Sequence, residues 1–496
     1  MPKESRLTRR RVLQSAGGLM AAAGLPAHPA ARPLLPQSAA RPPAAANITR
    51  QLAQYMVDAR SRTLSPQVAE AARHRILDTL GAIVSGARMK PGEAAIRFVR
   101  TQGGTSEASV LTTNIRTSAI NAALANGMFG HADETDDFEP VTKAHPGCAV
   151  VPAALAVGER EGRSGVEVVR AVALGYDVCC RFLMALGPDH VRATHRSAEG
   201  TSATFGAAAA AASLARLDER GMRHVLSYAA QQVSGIWSWT RDGEHIEKAF
   251  DFGGMGARNG VTAALMVQSG FTGVEEVLDG EHNMIDALST EPRHDQMIAG
   301  LGSRFFVTDT AIKTFSVGYP IQAPLDALLT LRRQHGLSAN NVERIVARLP
   351  EDGARIVDNS AMPDVNCQYI LAVGLIDGAL SFADSHSIER MKDPQVVAVK
   401  QRIQLVADRA LMDPDAPRSG RVEVTLRDGR QVSHFTRHAP GTKENPLDTE
   451  GVNAKVRDLM VPVVGAQRAE QIIRAVHAIE TLDDVRNFVR PLLTEV

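Results

Sequence analysis

The chain has 496 residues, room for two or three domains, and its 44% hydrophobic and 22% charged residues are the make-up of a globular protein. Fifty-five basic and fifty-five acidic side chains give zero formal net charge, which argues against a protein that coats nucleic acid. Aromatics are only 4%, so the core must be built mostly from Ala, Val, Leu and Ile, and nine lysines stand against 46 arginines.

Residues 1–46 read as an address. Thr8-Arg9-Arg10-Arg11-Val12-Leu13-Gln14 resembles the twin-arginine export motif, and a weakly hydrophobic stretch over 16–25 and a Pro/Ala-rich run to Ala46 follow it. A protein exported to the periplasm is the expectation. The stretch is too short to span a bilayer permanently, and no later segment has 18 uncharged apolar residues, so no permanent membrane span is expected. The address holds seven basic residues and one acid, leaving residues 47–496 with 48 bases and 54 acids.

From Asn47 to about residue 290 the apolar spacing is helical. Ser65-Pro66 opens a helix with Val68, Ala72, Ile76, Leu80 and Ile83 on one face. Ser164-Gly165-Val166-Glu167 and Thr272-Gly273-Val274-Glu275 both match the capping box. The segment from Thr204 to Leu217 includes six consecutive alanines and suits a bundle centre where neighbours come close, and Asp218 caps the next helix. Near residue 300 the texture changes. A strand is expected at 342–349, and a hairpin at 421–435 around Asp428-Gly429. Helical sequence is expected between them, at 368–382 and 394–408, and again after Pro446, at 449–459 and 466–479. The fold class expected is mainly α: a large all-helical domain from 47–300 plus 440–496, with an inserted smaller α+β lid domain over 301–439.

Cysteines 148, 179, 180 and 367 contain no Cys-x-x-Cys pair and read as small buried hydrophobes. Phosphate-loop, nucleophile-elbow and His-Glu-x-x-His patterns are absent. Four clusters remain. His131 to Phe138, followed by His145-Pro146-Gly147, packs four carboxylates into five residues, which reads most simply as a solvated acidic turn; the spacing of His131 and His145 is nonspecific for a metal, and none is expected. His195 and several hydroxyls precede the alanine helix. Lys248 leads into a glycine-rich stretch ending at Arg258, and Lys313 sits between apolar neighbours.

Together and in this order the clusters resemble the MmgE/PrpD family, which includes 2-methylcitrate dehydratase, cis-aconitate decarboxylase and an iminodisuccinate epimerase. The resemblance runs from about Asn47 to Leu459 through Asn126-Gly127, His131-Ala132, Asp136-Asp137, His145-Pro146-Gly147, Gly175-Tyr176, Thr204-Phe205-Gly206, Ala257-Arg258-Asn259-Gly260, Gly270-Phe271-Thr272-Gly273 and Asn445-Pro446-Leu447. It implies an all-α domain with an α+β lid, a homodimer, and cofactor-free chemistry on a small anionic di- or tricarboxylate. The function expected is a lyase, dehydratase or decarboxylase, with an epimerase (isomerase) or an exported organic-acid-binding protein without turnover as alternatives.

By resemblance His145, Lys248, Lys313, Tyr369 and Asp137 are the catalytic candidates. Glu134, Asp136, His195 and Arg258 are the substrate-binding ones. His145 and Lys248 would exchange protons next to a carboxylate held by Lys313 and Arg258, Tyr369 would close the site from the lid, and Asp136 or Asp137 would orient His145 or a lysine. The sequence departs from the family pattern at several points. Glu134 stands where an Asp is usual, Phe138 where a Thr is, and Gln322 at the position of the lid's histidine, while the lid's cysteine is absent. His195 lies two residues farther from Phe205 than the family spacing, and one extra residue follows Lys248.

Overall fold

The computed structural model describes residues 47–493; the export-type segment over 1–46 lies outside the described residues. Across these residues the chain is mainly α-helical, with two small sheets. In chain order the helices that frame the centre are α1 (Pro66–Gly86), α2 (Ala119–Gly130), α3 (Gly147–Glu161), α4 (Gly165–Leu186), α5 (Ala198–Leu214) and α6 (Met255–Gln268). Ser65 caps α1, its hydroxyl accepting from the Val68 amide at 3.3 Å. Ser164 and Glu167 form the expected reciprocal box on α4. The second match fails: no helix starts at Thr272, and Glu275 is instead taken by Arg220 and Arg223. Two guanidiniums outcompete a single backbone amide for that carboxylate.

All of α5 is buried, which its alanines make feasible. It starts at Ala198, capped by Ser197, rather than at Thr204. Its approach to α4 depends on glycine: a Cβ on Gly206 would stand 2.7 Å from Cys179 Cβ and 2.8 Å from the Gly175 carbonyl.

A second, separate hydrophobic core lies between residues 317 and 426. Its sheet runs β2-β1-β3-β4, with β1 Val342–Pro350, β2 Ile403–Asp408, β3 Gly420–Leu426 and β4 Gln431–Thr436. The hairpin β3–β4 forms as expected, Val422 opposite His434, with Gly429 at φ 87 in its turn. The helix expected over 394–408 stops at Lys400. The remaining residues pair in parallel with β1, Ile403 opposite Ile345, because their side chains complete that core. Helix α7 (Thr449–His477) returns to α1, where Leu459 meets Gly81, and it breaks at Gly465, whose φ is 76. Pro462, within the same helix, weakens it just ahead of that break.

Candidate active site

The acidic segment between α2 and α3 is buried rather than solvated. His131, Asp136 and Asp137 are 0% exposed, and Asp133 and Glu139 are nearly as deep. Its backbone is pinned to the segment carrying Lys313: the Phe138 amide donates to the Ala311 carbonyl at 3.0 Å, and the Ala311 amide donates back at 2.7 Å. Charges buried this deeply persist only when they are paired, and the pairing sorts the carboxylates by role.

Asp136 collects three partners. His145 Nδ1 lies 3.1 Å from both of its oxygens, His131 Nδ1 2.9 Å from Oδ2, and Lys313 Nζ 3.5 Å from Oδ1. Burial pushes this carboxyl up, but His131, His145 and Lys313 outweigh it and hold it well below the usual range. Glu134 pairs with Lys248 and, at 3.4 Å, with Lys313, whose ammonium also donates to the Glu134 carbonyl at 2.9 Å. Against the pull of burial, the two lysines keep Glu134 ionised, while Glu134 and Asp136 raise Lys313 despite its burial.

Asp137 faces elsewhere. The Tyr176 hydroxyl and the Gly147 amide, the latter at 3.0 Å, donate to it, and burial pushes its pKa up to about 6. It does not orient His145, as was expected of one of the two aspartates; Asp136 does.

Aromatic rings wall the cluster. Phe252 stacks on His131 at 4.0 Å, and Lys248 Nζ stands 4.9 Å from the Trp239 ring and 5.1 Å from Phe252. Phe252 is placed there by a π-helical turn, Phe250–Gly254, between Lys248 and α6. Such a turn accommodates one additional residue in a helix, and here it coincides with the extra residue seen in the spacing after Lys248. Gly127 of α2 lets this turn approach, since a Cβ there would meet the Gly253 carbonyl oxygen at 2.7 Å.

Three expected residues are not brought to the cluster. Tyr369 is buried in the second core, in the first turn of a helix capped by Asn366, and its hydroxyl donates to the Asp384 carbonyl at 2.5 Å. His195 is exposed, in a left-handed turn at φ 61. Arg258 donates to Asn259 and lies over Phe250, beside an apolar pocket lined by Phe98, Met128 and Ile246. Gln322, at the lid-histidine position, is spent on the backbone of Phe315 and Val317.

Four further side chains join the cluster. His131 was visible as part of the acidic cluster but was given no catalytic role. His245, 5.2 Å from the His131 ring, is buried with neither ring nitrogen hydrogen-bonded, and burial with Lys248 beside it keeps it well below its ordinary pKa. His386 follows the short helix Phe382–Ser385: Nε2 is 2.8 Å from Asp133 and Nδ1 2.8 Å from the Phe382 carbonyl. Though burial opposes it, Asp133 raises its pKa to about 9, so it enters as an imidazolium. Lys455 Nζ reaches the Thr135 carbonyl at 2.8 Å and Asp78 at 2.6 Å from α7. His131 lies in the acidic cluster and His245 beside Lys248 in sequence, whereas no local pattern signals His386 or Lys455.

Side-chain atoms of His131, Glu134 and His245 lie within 4.8 Å of one another, a spacing that could hold a metal ion. Glu134 is already shared by two ammonium groups, so a divalent ion would have to displace Lys248. The arrangement is better suited to proton transfer: an imidazole braced on a buried carboxylate through Nδ1, with Nε2 left for another partner, beside two fixed ammonium charges.

Residues 50–297 match the family model described as the MmgE/PrpD N-terminal domain, and residues 315–481 the MmgE/PrpD C-terminal domain. Among curated proteins, cis-aconitate decarboxylase of Aspergillus terreus (strain NIH 2624 / FGSC A1156) is 24% identical over 479 residues, covering 89% of this chain and 95% of that protein. Cis-aconitate decarboxylase of Homo sapiens is 24% identical over 459 residues, covering 88% and 93%. The cis-aconitate decarboxylase-like protein oryM of Aspergillus oryzae (strain ATCC 42149 / RIB 40) is 23% identical over 473 residues, covering 88% and 96%.

Proposed function

This chain belongs to the MmgE/PrpD family, and we propose that it is a cofactor-independent lyase acting on a small di- or tricarboxylate. The observation that carries the reading is the buried pair of constellations His145–Asp136 and Lys248–Glu134–Lys313. Relatives named for decarboxylation of cis-aconitate over nearly their whole length support the same class.

The chemistry starts where a bond next to a carboxylate breaks and negative charge flows onto that carboxylate. In a dehydration, His145 Nε2 removes the proton on the carbon beside the carboxylate, and the hydroxyl leaves from the neighbouring carbon as water, taking a proton from the cluster. In a decarboxylation, carbon dioxide departs and the electron pair it leaves on carbon takes the proton from a protonated His145. Lys248 and Lys313 stabilise the carboxylate charge in either case, and they act strongly because water is excluded around them. Asp136 keeps Nδ1 of His145 engaged so that Nε2 faces the substrate.

Incubation in D₂O with cis-aconitate, citrate-like and succinate-like acids, followed by NMR, tests the reading. A new alkene identifies a dehydratase and loss of a carboxyl group a decarboxylase. Deuterium uptake alone would replace the lyase with an epimerase, and tight binding with no turnover would leave an organic-acid-binding protein. A His145→Ala protein with near-full activity would remove His145 from the mechanism. Export by the twin-arginine route and assembly as a homodimer belong to the same proposal, resting on Arg9 and Arg10 and on the family.

A further inference from the structure

His245 has no part in the acid/base assignments, yet its placement is costly. It is 4% exposed and neither ring nitrogen has a hydrogen-bond partner, and a buried polar atom left unpaired is expensive. Its backbone is strained as well, at φ 62, in the left-handed region that a histidine seldom adopts. Asp242 holds the turn: its carboxylate accepts from the Glu244 amide at 3.0 Å and from the Lys248 amide at 3.1 Å. One carboxylate therefore fixes His245 and Lys248 together.

The charged and titratable groups acting on His245 are Lys248, His131, Glu134 and Asp136. One ring nitrogen each of His131 and His245 and one Glu134 oxygen lie within 4.8 Å of one another. A single oxygen atom bridges such a spacing at hydrogen-bond length, about 2.8 Å from each. Residual exposure marks the members that a substrate meets. Glu134 and His145 are 6% exposed and Lys248 somewhat more, whereas His131, Asp136 and Lys313 are sealed at 0%. His145, His245, Glu134 and Lys248 thus border the accessible side, and His131 lies beneath them.

We propose that His245 and Glu134 together hold a hydroxyl group of the substrate, which makes His245 a specificity-determining residue for hydroxy acids. Burial and the Lys248 ammonium keep His245 neutral, and a neutral imidazole has an N–H to donate. A hydroxyl matches both neighbours: it donates its proton to Glu134, which only accepts, and its oxygen accepts from the His245 N–H. Each Glu134 oxygen has a lone pair beyond the one its lysine uses. A carboxylate in that place would face the Glu134 charge with no proton to offer, and an alkene carbon would leave the imidazole unpaired. An ammonium would add a third cation to the two already at Glu134 and would give the His245 N–H no acceptor. That the hydroxyl belongs to a carboxylic acid rests on the lyase reading; the preference for a hydroxyl does not.

Acids that differ only in that group test the assignment: citrate against tricarballylate, and malate against succinate and aspartate. The whole protein is titrated with each by calorimetry at pH 7.5, as wild type, His245→Asn and His245→Phe, with melting profiles run alongside. Where one acid of a set turns over, the whole set is titrated in a His145→Ala background. Asn tolerates the left-handed backbone but is shorter than the imidazole, and Phe keeps the ring without its nitrogens, so a folding defect in one variant leaves the other as the test. Wild type should bind citrate and malate at least about tenfold more tightly than tricarballylate and succinate. Both variants should bring that ratio close to one by weakening the hydroxy acids alone. A purely structural histidine would weaken all the acids in parallel and leave the ratio intact. Equal Kd values within each set in wild type, a ratio unchanged in the variants, or aspartate binding more tightly than malate would each overturn the proposal, as would failure of all five acids to bind. Selective binding without turnover of any acid would sink the lyase reading and leave the hydroxyl pocket standing. Turnover of cis-aconitate with no preference for the hydroxyl would do the reverse.

Discussion

Asp136 and Asp137 are adjacent, chemically identical and both 0% exposed, yet the structure assigns them opposite work. Asp136 braces His145 and His131 and neutralises Lys313, while Asp137 is held by Tyr176 and Gly147 with its pKa raised to about 6. Replacing Asp136 with Asn keeps the shape but removes the charge that stabilises an imidazolium and lets His145 turn over to the wrong tautomer. A correctly held general acid or base contributes about 10²–10⁴ in rate, so kcat should fall by about that factor, or roughly 3–5 kcal/mol of transition-state stabilisation at about 1.4 kcal/mol per tenfold. Folding should suffer less than the loss of a whole buried ion pair, about 3–5 kcal/mol, because Lys313 keeps Glu134. Asp137→Asn, at a carboxyl that burial already moves towards its neutral form, should change kcat by no more than about threefold, as expected of a substitution away from the reacting groups. Steady-state kinetics on the acid identified by NMR, with urea denaturation of both variants, measures all of this. Equal losses of kcat in the two variants, or an Asp136→Asn enzyme keeping more than about a tenth of wild-type kcat, would refute the assignment of His145 and its brace.

The His386–Asp133 contact should make stability fall with rising pH. Its folded pKa of about 9 is above the ordinary 6.5, so the contribution is complete below pH 6.5 and is lost as pH rises through 9; urea midpoints between pH 6.5 and 10 should show the decline, and His386→Gln should flatten it. Gly206→Val should lower Tm, with a cost of about 1–3 kcal/mol or more from overpacking against Cys179 and the Gly175 carbonyl; an unchanged melting curve would mean α4 and α5 can separate freely. Replacing Arg9 and Arg10 together by Lys should leave the protein in the cytoplasmic fraction of cells that export the wild type, and unaltered fractionation would count against the twin-arginine reading.

What the sequence made legible follows from how local each cause is. Caps such as Ser65 and Ser164, the alanine run of α5 and the Asp428-Gly429 turn act within a few residues, and those elements appear where the pattern puts them. Ile403–Asp408 does not, because its conformation is decided by β1, almost sixty residues earlier in the chain, and no local pattern records that pairing. The acidic segment shows the same limit at the site. Four carboxylates in five residues are most simply solvated, but here Lys248 and Lys313 reach Glu134, Lys313 reaches Asp136 and His386 reaches Asp133 from distant stretches of chain, and Tyr176 donates to Asp137. Family resemblance located two of those cations, and neither resemblance nor spacing located His386, whose partner Asp133 lies more than 250 residues away. One anomaly carried real structural information, however. The extra residue after Lys248 looked like a departure from pattern, and a π-helical turn occupies that stretch, setting Phe252 against His131 and beneath the Lys248 ammonium. An insertion inside a helix costs regular hydrogen bonding, so its survival beside the most charged part of the molecule is itself evidence that the position of Phe252 matters to what those charges do.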